Sequence, residues 1–330
     1  MPRLSIIIPC LNGPGEFEGT LVSVLQNRPR DCEVVVVHVE PYDDPYNLAG
    51  EVRFVRVGEQ PRLVQLVNAG LQAAKAEIVH VVGCGVEVEE HWTEPALAHF
   101  VDPDVAAVSP LLVRGEDRSR EAAAGVTYRT SGLRALCAAG MKISSARLKR
   151  TKVAGPTLRG AFYRRDVLSA LCGLDERIAD EHADVDLAML LGQLEQRAVF
   201  EPASRITESL PPGEDPRSSA FVRGRSAERL FWRHAAQRGW IASLLLHPWG
   251  VLADFYREAP QIDGLLHLLG RAMALTEVGA VKRLREHVET AAEKLREQHP
   301  HRTIVSLTVA RAKAAHAAQD QPRATWRKAA

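Results

Sequence analysis

The sequence predicts an α/β protein: a mostly parallel sheet flanked by helices, followed by a helical C-terminal region. Two observations carry this. The runs Leu4-Ser5-Ile6-Ile7-Ile8 and Glu33-Val34-Val35-Val36-Val37-His38-Val39 are β-branched with almost no polar alternation, the pattern of strands buried on both faces. Helical periodicity stands between such runs across the N-terminal third, and strands alternating with helices imply crossover connections and parallel pairing.

The first strand is closed by Pro9 and by Asn12-Gly13-Pro14-Gly15. A helix over 17–26 places Leu21, Val24 and Leu25 on one face. The second strand, 33–39, ends at Pro41-Tyr42-Asp43-Asp44-Pro45; a short strand follows at 52–57, a helix at 63–75 and a strand at 78–82. In such sheets ligands bind beyond the carboxyl ends of the strands, so the exits at 9–13, 38–42 and 83–86 are expected to line one crevice. Residues 114–152, rich in Arg, Lys, Ala and Gly, are expected to form a helix plus a mobile loop over it. A strand leading into a helix is expected at 157–170. A further helix at 184–194 would carry Leu187, Leu190, Leu191 and Leu194 on its apolar side. The Pro- and Gly-rich stretch 208–216 reads as a linker or exposed loop. Helices are expected at 220–238, 240–257, 264–277 and 281–298, then a last, fraying helix in the Ala-rich, basic residues 302–330. The expected division is an α/β domain over 1–205 and a helical extension over 206–330.

A net charge of +1 argues against a whole-molecule field for a nucleic-acid polymer. The five cysteines, Cys10, Cys32, Cys84, Cys137 and Cys172, are odd in number and lack CxxC spacing. They read as free thiols of a reducing compartment. Met1-Pro2-Arg3 runs straight into a strand, with no signal peptide visible. No apolar stretch reaches the roughly 18–20 residues a bilayer span needs; the nearest, 240–255, is interrupted by His247, Pro248 and Asp254. The expected location is the cytoplasm, with the C-terminal helices able to touch the inner face of the membrane.

Three blocks carry a resemblance. They are Leu4-Ser5-Ile6-Ile7-Ile8-Pro9-Cys10-Leu11-Asn12; Asn68-Ala69-Gly70 through Glu77-Ile78-Val79; and Arg159-Gly160-Ala161-Phe162-Tyr163, continuing through Gly173-Leu174-Asp175-Glu176 to Asp184-Val185-Asp186-Leu187. In this order, over about 4–205, they resemble family 2 glycosyltransferases of the GT-A fold. The resemblance implies inverting transfer of a sugar from a nucleotide-sugar donor to a glycan or lipid-linked acceptor, as in cell-envelope polysaccharide assembly. A carboxylate takes the acceptor's proton while a nucleoside diphosphate leaves. On matching positions Asp184 is the general base. Pro9, Cys10, Asn12, His38, Glu40, Asn68, Gly83, Cys84, Gly85, Arg159, Gly160 and Asp186 are the substrate-binding set.

The chain departs from the family pattern in three places. Gly83-Cys84-Gly85 stands where the family has an Asp-x-Asp turn for Mg²⁺ or Mn²⁺, hard cations that take oxygen ligands. The cation is typical of the family but its ligands are missing here. His38-Val39 replaces an Asp-Asp pair that reads the nucleotide, with Glu40, Asp43 and Asp44 nearby as substitutes or as ordinary loop residues. Ala183-Asp184 replaces a Glu-Asp pair. Asp184 and Asp186 equally suit the start of a helix, where carboxylates oppose the dipole. His80, Glu87, Glu89 and His91 do not form a metal cluster on this reading, because alternation points His80 away from the strand's exit. Arg159, Lys149, Arg150 and Lys152 read either as cations for a diphosphate or as a solvated basic loop. The alternative to an enzyme is a catalytically degenerate relative that binds sugar nucleotide or glycan, or acts as a scaffold.

Overall fold

The structure, a computed structural model, describes residues 2–298 apart from 12, 59, 116–120, 143–147, 149–150, 210–218, 236–238, 258–260 and 278. The chain begins β1 (Leu4–Pro9), α1 (Pro14–Asn27), β2 (Cys32–His38), β3 (Val52–Arg56), α2 (Leu63–Ala73), β4 (Ile78–Val82), β5 (Val86–Val88) and α3 (Thr93–Ala98). Next come β6 (Val105–Arg114), β7 (Glu121–Ala123), β8 (Val126–Tyr128), β9 (Arg134–Leu136), β10 (Gly160–Arg164), α4 (Arg165–Ala170), α5 (Asp180–Gln193) and β11 (Arg197–Glu208). The helices α6 (Ala220–His234), α7 (Trp240–Arg257), α8 (Gln261–Ala274) and α9 (Gly279–Gln298) follow.

The main sheet has the order β3-β2-β1-β4-β10-β6-β11-β5, with β7 on β6 and β8–β9 a separate hairpin. The first four strands in space are parallel. β10 is antiparallel to both β4 and β6, so it starts where its neighbours end. Strand alternation sorts the side chains into two cores. Ile7, Val35, Val37, Val79 and Val81 pack with α2, α4, α5 and α9. Ile6, Ile8, Val34, Val36 and Val82 pack with Phe17, Leu21 and Val24 of α1 and with Ala96 and Leu97 of α3. Each fully buried aliphatic contributes about 1.5–3 kcal/mol, which is why these strands carry almost no polar residues.

α2 lies unusually near β1: a Cβ at Gly70 would stand 2.3 Å from Cγ2 of Ile7. Its amino end is capped from α5, where the Asp180 carboxylate accepts the backbone N–H groups of Leu63 (2.9 Å) and Val64 (3.3 Å). α6 and α8 also cross closely. A Cβ at Gly224 would meet the His267 carbonyl oxygen at 2.0 Å, and one at Gly270 the Phe221 carbonyl oxygen at 2.0 Å.

Several expectations need correction. The described residues of 114–152 form three short strands rather than a helix and loop. α5 begins at Asp180, four residues before the predicted start, so Asp184 sits in its second turn and not at its dipole end. Residue 205 falls inside β11, which with β6 completes the sheet and was not expected. β11 escapes a period-2 reading because its pairing with β6 shifts register twice, leaving no clean alternation of burial. Residues 302–330 and nearly all of 208–216 lie outside the described residues. Among the described residues no helix is long and apolar enough to cross a membrane.

His80 is the polar exception inside the sheet. Its Nδ1–H donates to the Ala161 carbonyl (3.1 Å), its Nε2 accepts from the Trp92 indole (3.0 Å), and its ring stacks on Phe162 at 3.6 Å. Both nitrogens are satisfied only in the neutral ring, and burial pushes its pKa down to about 3. The unfolded chain takes up this proton below about pH 6.5 and the folded chain does not, so stability falls as pH drops through that range. Urea unfolding between about pH 7 and 5 is expected to lose up to about 1.4 kcal/mol per pH unit from this residue. In a His80→Gln variant the slope is expected to be shallower by about one proton.

Candidate active site

The carboxyl ends of β1, β2 and β4 and the start of β10 meet along one edge of the sheet. There Gly83-Cys84-Gly85 forms a tight turn between β4 and β5. Gly83 N–H donates to the Arg159 carbonyl (3.0 Å), and Val86 N–H returns to the Gly83 carbonyl (3.1 Å). Gly85 has φ +75°, which glycine adopts without strain; its N–H donates to buried Thr20 Oγ1 at 3.0 Å. The Cys84 thiol donates to the Pro9 carbonyl (3.2 Å), tying the turn to the end of β1.

Arg159 closes this turn. Its Nη1 donates to the Cys84 carbonyl (2.8 Å) and its Nε to Glu208 Oε1 (3.0 Å). A Cβ at Gly83 would stand 3.4 Å from both the Cα and Nη1 of Arg159. Any side chain at position 83 would therefore share its space with a guanidinium. Neither glycine brings a ligand, Cys84 is a soft donor, and a fixed cation lies alongside. This donor set does not fit Mg²⁺ or Mn²⁺, and the described residues contain no group of three His, Cys, Asp or Glu able to hold a metal ion.

At the end of β2, His38 is buried and its Nδ1 lies 2.7 Å from the Glu40 carbonyl oxygen, among the rings of Tyr42 and Phe54. Glu40 is exposed, and its Oε2 would be 2.9 Å from a Cβ at Gly13. Cys10 is buried, its thiol 3.7 Å from the Gly13 carbonyl. Asp44, considered as a substitute for the missing pair, accepts the N–H groups of Leu48 and Ala49 and holds a turn. Asn12, Lys149 and Arg150 lie outside the described residues.

Three residues of the expected substrate-binding set make structural contacts. Asn68 accepts Leu174 N–H (2.9 Å) and donates to the Leu174 carbonyl (3.0 Å), pinning the turn that starts at Gly173. Gly160 allows β11 to approach: a Cβ there would meet Ile206 Cδ1 at 2.1 Å. Asp186 is buried on α5, accepting from His234 Nε2 at 2.8 Å and facing Arg233 Nη2 at 3.3 Å, so it joins α5 to α6.

Asp184 is also buried, 4% exposed. Arg134, on the β8–β9 hairpin, grips it with both arms of its guanidinium: Nε to Oδ1 at 2.9 Å and Nη2 to Oδ2 at 2.7 Å. Burial opposes the charge on Arg134, but Asp184 outweighs it and raises the guanidinium's pKa. Beside them, His182 has a buried Nδ1 without a hydrogen-bond partner. Its pKa is pushed down to about 3 by burial and by the charges of Arg134 and Arg271. Two sets of residues thus emerge: a turn, a thiol and a guanidinium at the strand ends, and a sealed carboxylate on α5. A separate hollow of about 380 Å³ lies between Pro2, Lys75 and Arg164, at the opposite, amino end of β1 and β4, away from both.

A half-parallel sheet with an antiparallel strand inserted beside β4 is the architecture of the GT-A fold of nucleotide-sugar transferases. The family model described as glycosyl transferase family 2 matches residues 5–172, half of the chain, and the chain belongs to that family. It is 26% identical over 128 residues to the probable polypeptide N-acetylgalactosaminyltransferase 8 of Homo sapiens, covering 34% of this chain and 20% of that protein. The chain thus spans about a fifth of that curated relative's length. Among solved structures it is similar in fold to GalNAc-T7 with UDP, GalNAc and Mn²⁺, with a TM-score of 0.53, 16% identity, and coverage of 69% of this chain and 47% of that one. It also matches the mannosyltransferase PcManGT from Pyrobaculum calidifontis in complex with GDP-Man and Mn²⁺, with a TM-score of 0.49, 20% identity, and coverage of 89% and 86%.

The Asp186 contacts predict a stability effect. Asp186→Ala leaves the buried His234 Nε2 without its acceptor and removes one of the two carboxylates facing Arg233, which keeps Asp175, and is expected to lower the unfolding free energy by about 1–3 kcal/mol in urea titration. Unchanged stability would return Asp186 to a substrate role.

Proposed function

We propose that this chain transfers a sugar from a nucleotide-sugar donor to a glycan or lipid-linked acceptor, using Arg159 rather than a metal-binding turn to meet the donor diphosphate. One observation carries the reading: a guanidinium is hydrogen-bonded onto the turn that occupies the place of the family's cation site. A planar guanidinium suits a diphosphate, and its positive charge offsets the charge that builds on the leaving group once the donor's phosphates take the place of Glu208, which pairs with it at 3.0 Å. Family membership supports the donor class, as does the UDP held by the structurally similar GalNAc-T7.

In the reaction, the acceptor hydroxyl oxygen bonds to the anomeric carbon as that carbon's bond to the β-phosphate oxygen breaks. The nucleoside diphosphate keeps the electron pair, and the hydroxyl proton passes to Asp184, with inversion at the anomeric carbon. Asp184 can take that proton only after Arg134 has moved off it, so the hairpin β8–β9 has to open in the productive complex. The same pair favours a second reading. With its carboxylate sealed by Arg134, the chain binds a sugar nucleotide or glycan without turnover, or serves as a scaffold. The inner face of a membrane is the setting proposed for either, reached through the C-terminal helices.

Calorimetric titration with a panel of UDP- and GDP-sugars, with Mn²⁺ and with chelator, separates these readings. Binding of one donor is expected with equal affinity in both conditions. It is expected to weaken roughly tenfold or more in Arg159→Ala and less in Arg159→Lys, with thermal midpoints checked for each variant. Metal-dependent binding would sink the Arg159 role, and no binding to any donor leaves only the scaffold. In a transfer assay Asp184→Asn is expected to lose roughly 10²–10⁴-fold in turnover. Turnover equal to that of the unaltered chain would exclude Asp184 as base, and binding without any transfer would favour the second reading.

A further inference from the structure

The helices α7 and α8 are inside out. A helix on a soluble protein ordinarily turns its apolar stripe inward and its polar face to water. In α7 the inward positions are Ser243, His247, Gly250 and Asp254, spaced as one helical face. His247 Nε2 lies 3.0 Å from Glu228 Oε1, and Asp254 pairs with Arg271 of α8. In α8 the inward face holds His267 and Arg271, and Arg271 Nη1 donates to Glu228 Oε2 at 2.8 Å. The apolar residues point outward. On α7 Leu245 is 71% exposed and Trp249 69%, with Trp240, Leu252 and Tyr256 beside them; on α8 Ile262 is 74% exposed, with Leu265 and Leu269 following at helical spacing. A contiguous apolar face of this kind marks contact with something apolar.

We propose that this face is an interfacial membrane-binding surface that lies in the headgroup plane of a bilayer containing anionic lipid. The proposal extends the lipid side of the reading above. Three observations point to lipid. Neither helix presents an exposed carboxylate: Asp254 is tied to Arg271, and Asp263 is half-buried. The outward aromatic residues Trp240, Trp249 and Tyr256 each join an apolar ring to one polar group, the chemistry that settles at headgroup depth. Basic residues accompany the face, one in the structure and several in the sequence. Arg129 is exposed on the β8–β9 hairpin, whose Ser131 carbonyl would stand 2.1 Å from a Cβ at Gly250 of α7. In the sequence beyond residue 300, Arg302, Arg311, Lys313, Arg323, Arg327 and Lys328 stand against the single Asp320. Such polybasic segments are drawn to anionic headgroups, by about 1 kcal/mol per basic residue near the surface. Neither helix is long and apolar enough to cross a membrane, which leaves the in-plane geometry.

The test is co-sedimentation of the full chain with vesicles of phosphatidylcholine alone and of phosphatidylcholine with phosphatidylglycerol, without donor or acceptor. The chain is expected to pellet with the phosphatidylglycerol vesicles, less so as salt is raised, and its tryptophan emission is expected to shift to the blue. A Leu245→Asp, Leu265→Asp double variant changes only exposed positions. It is expected to keep its thermal midpoint and lose roughly tenfold or more in vesicle partition. Failure of the unaltered chain to pellet with either vesicle, or a partition unaffected by the double variant, would overturn the proposal. A lipid-free dimer that the double variant dissociates would also overturn it, assigning the face to a second copy. Because no sugar nucleotide is present, a negative result here leaves the transferase reading standing, and a failed donor titration leaves this one.

Discussion

Burial of the sheet on both faces is the constraint from which the rest of this molecule follows. Strands β1, β2 and β4 offer each core a β-branched side chain at every second position, leaving no room for chemistry along their length. The one polar side chain admitted to β4 is a neutral histidine with both nitrogens bonded. Polar groups that could act on a ligand are thereby confined to the strand ends. The antiparallel insertion of β10 is what makes that edge interesting: it delivers Arg159 to the place where the parallel strands finish.

A second regularity concerns charge. The buried carboxylates described above are held by basic side chains from other elements of the chain: Asp184 by Arg134, Asp186 by His234 and Arg233, Glu228 by Arg271 and His247. Asp175 shows the balance clearly. Burial alone would raise its pKa, yet bonds from Arg177 and the charge of Arg233 hold it well below the usual carboxylate range. A buried carboxylate is tolerated only with such partners. The acidic motif on α5 therefore makes two kinds of contact, with Asp186 joining α5 to α6 while Asp184 is paired with Arg134 of the hairpin.

Much of the architecture was legible because two-sided burial leaves an uninterrupted β-branched signature. β4 and α7 have the bounds their sequences suggest. The strands β7, β8 and β9, three residues each, are too short to show a period, and β11 is scrambled by its register shifts. The hairpin therefore carries no legible sequence signal, and neither does the pairing of Arg134 with an aspartate fifty positions away. Asn68 and Gly160 sit in recognisable blocks, but the blocks do not say whether a side chain faces ligand or protein; here one pins a turn and the other makes room for Ile206. Asp180 does carry a sequence signal, because with Glu181 it places carboxylates in the first turn of α5, where they oppose the helix dipole.

The two glycines at the α6–α8 crossing have a mechanical consequence. With each carbonyl oxygen 2.0 Å from where the partner glycine's Cβ would lie, the helices cannot slide or roll past one another without collision. α7 is clamped to the same pair through Arg271, and α6 is riveted to α5 through Asp186. The outward apolar surface is consequently a rigid mount rather than a swinging arm. Whatever it rests on fixes the tilt of the sheet and the direction in which its carboxyl edge faces.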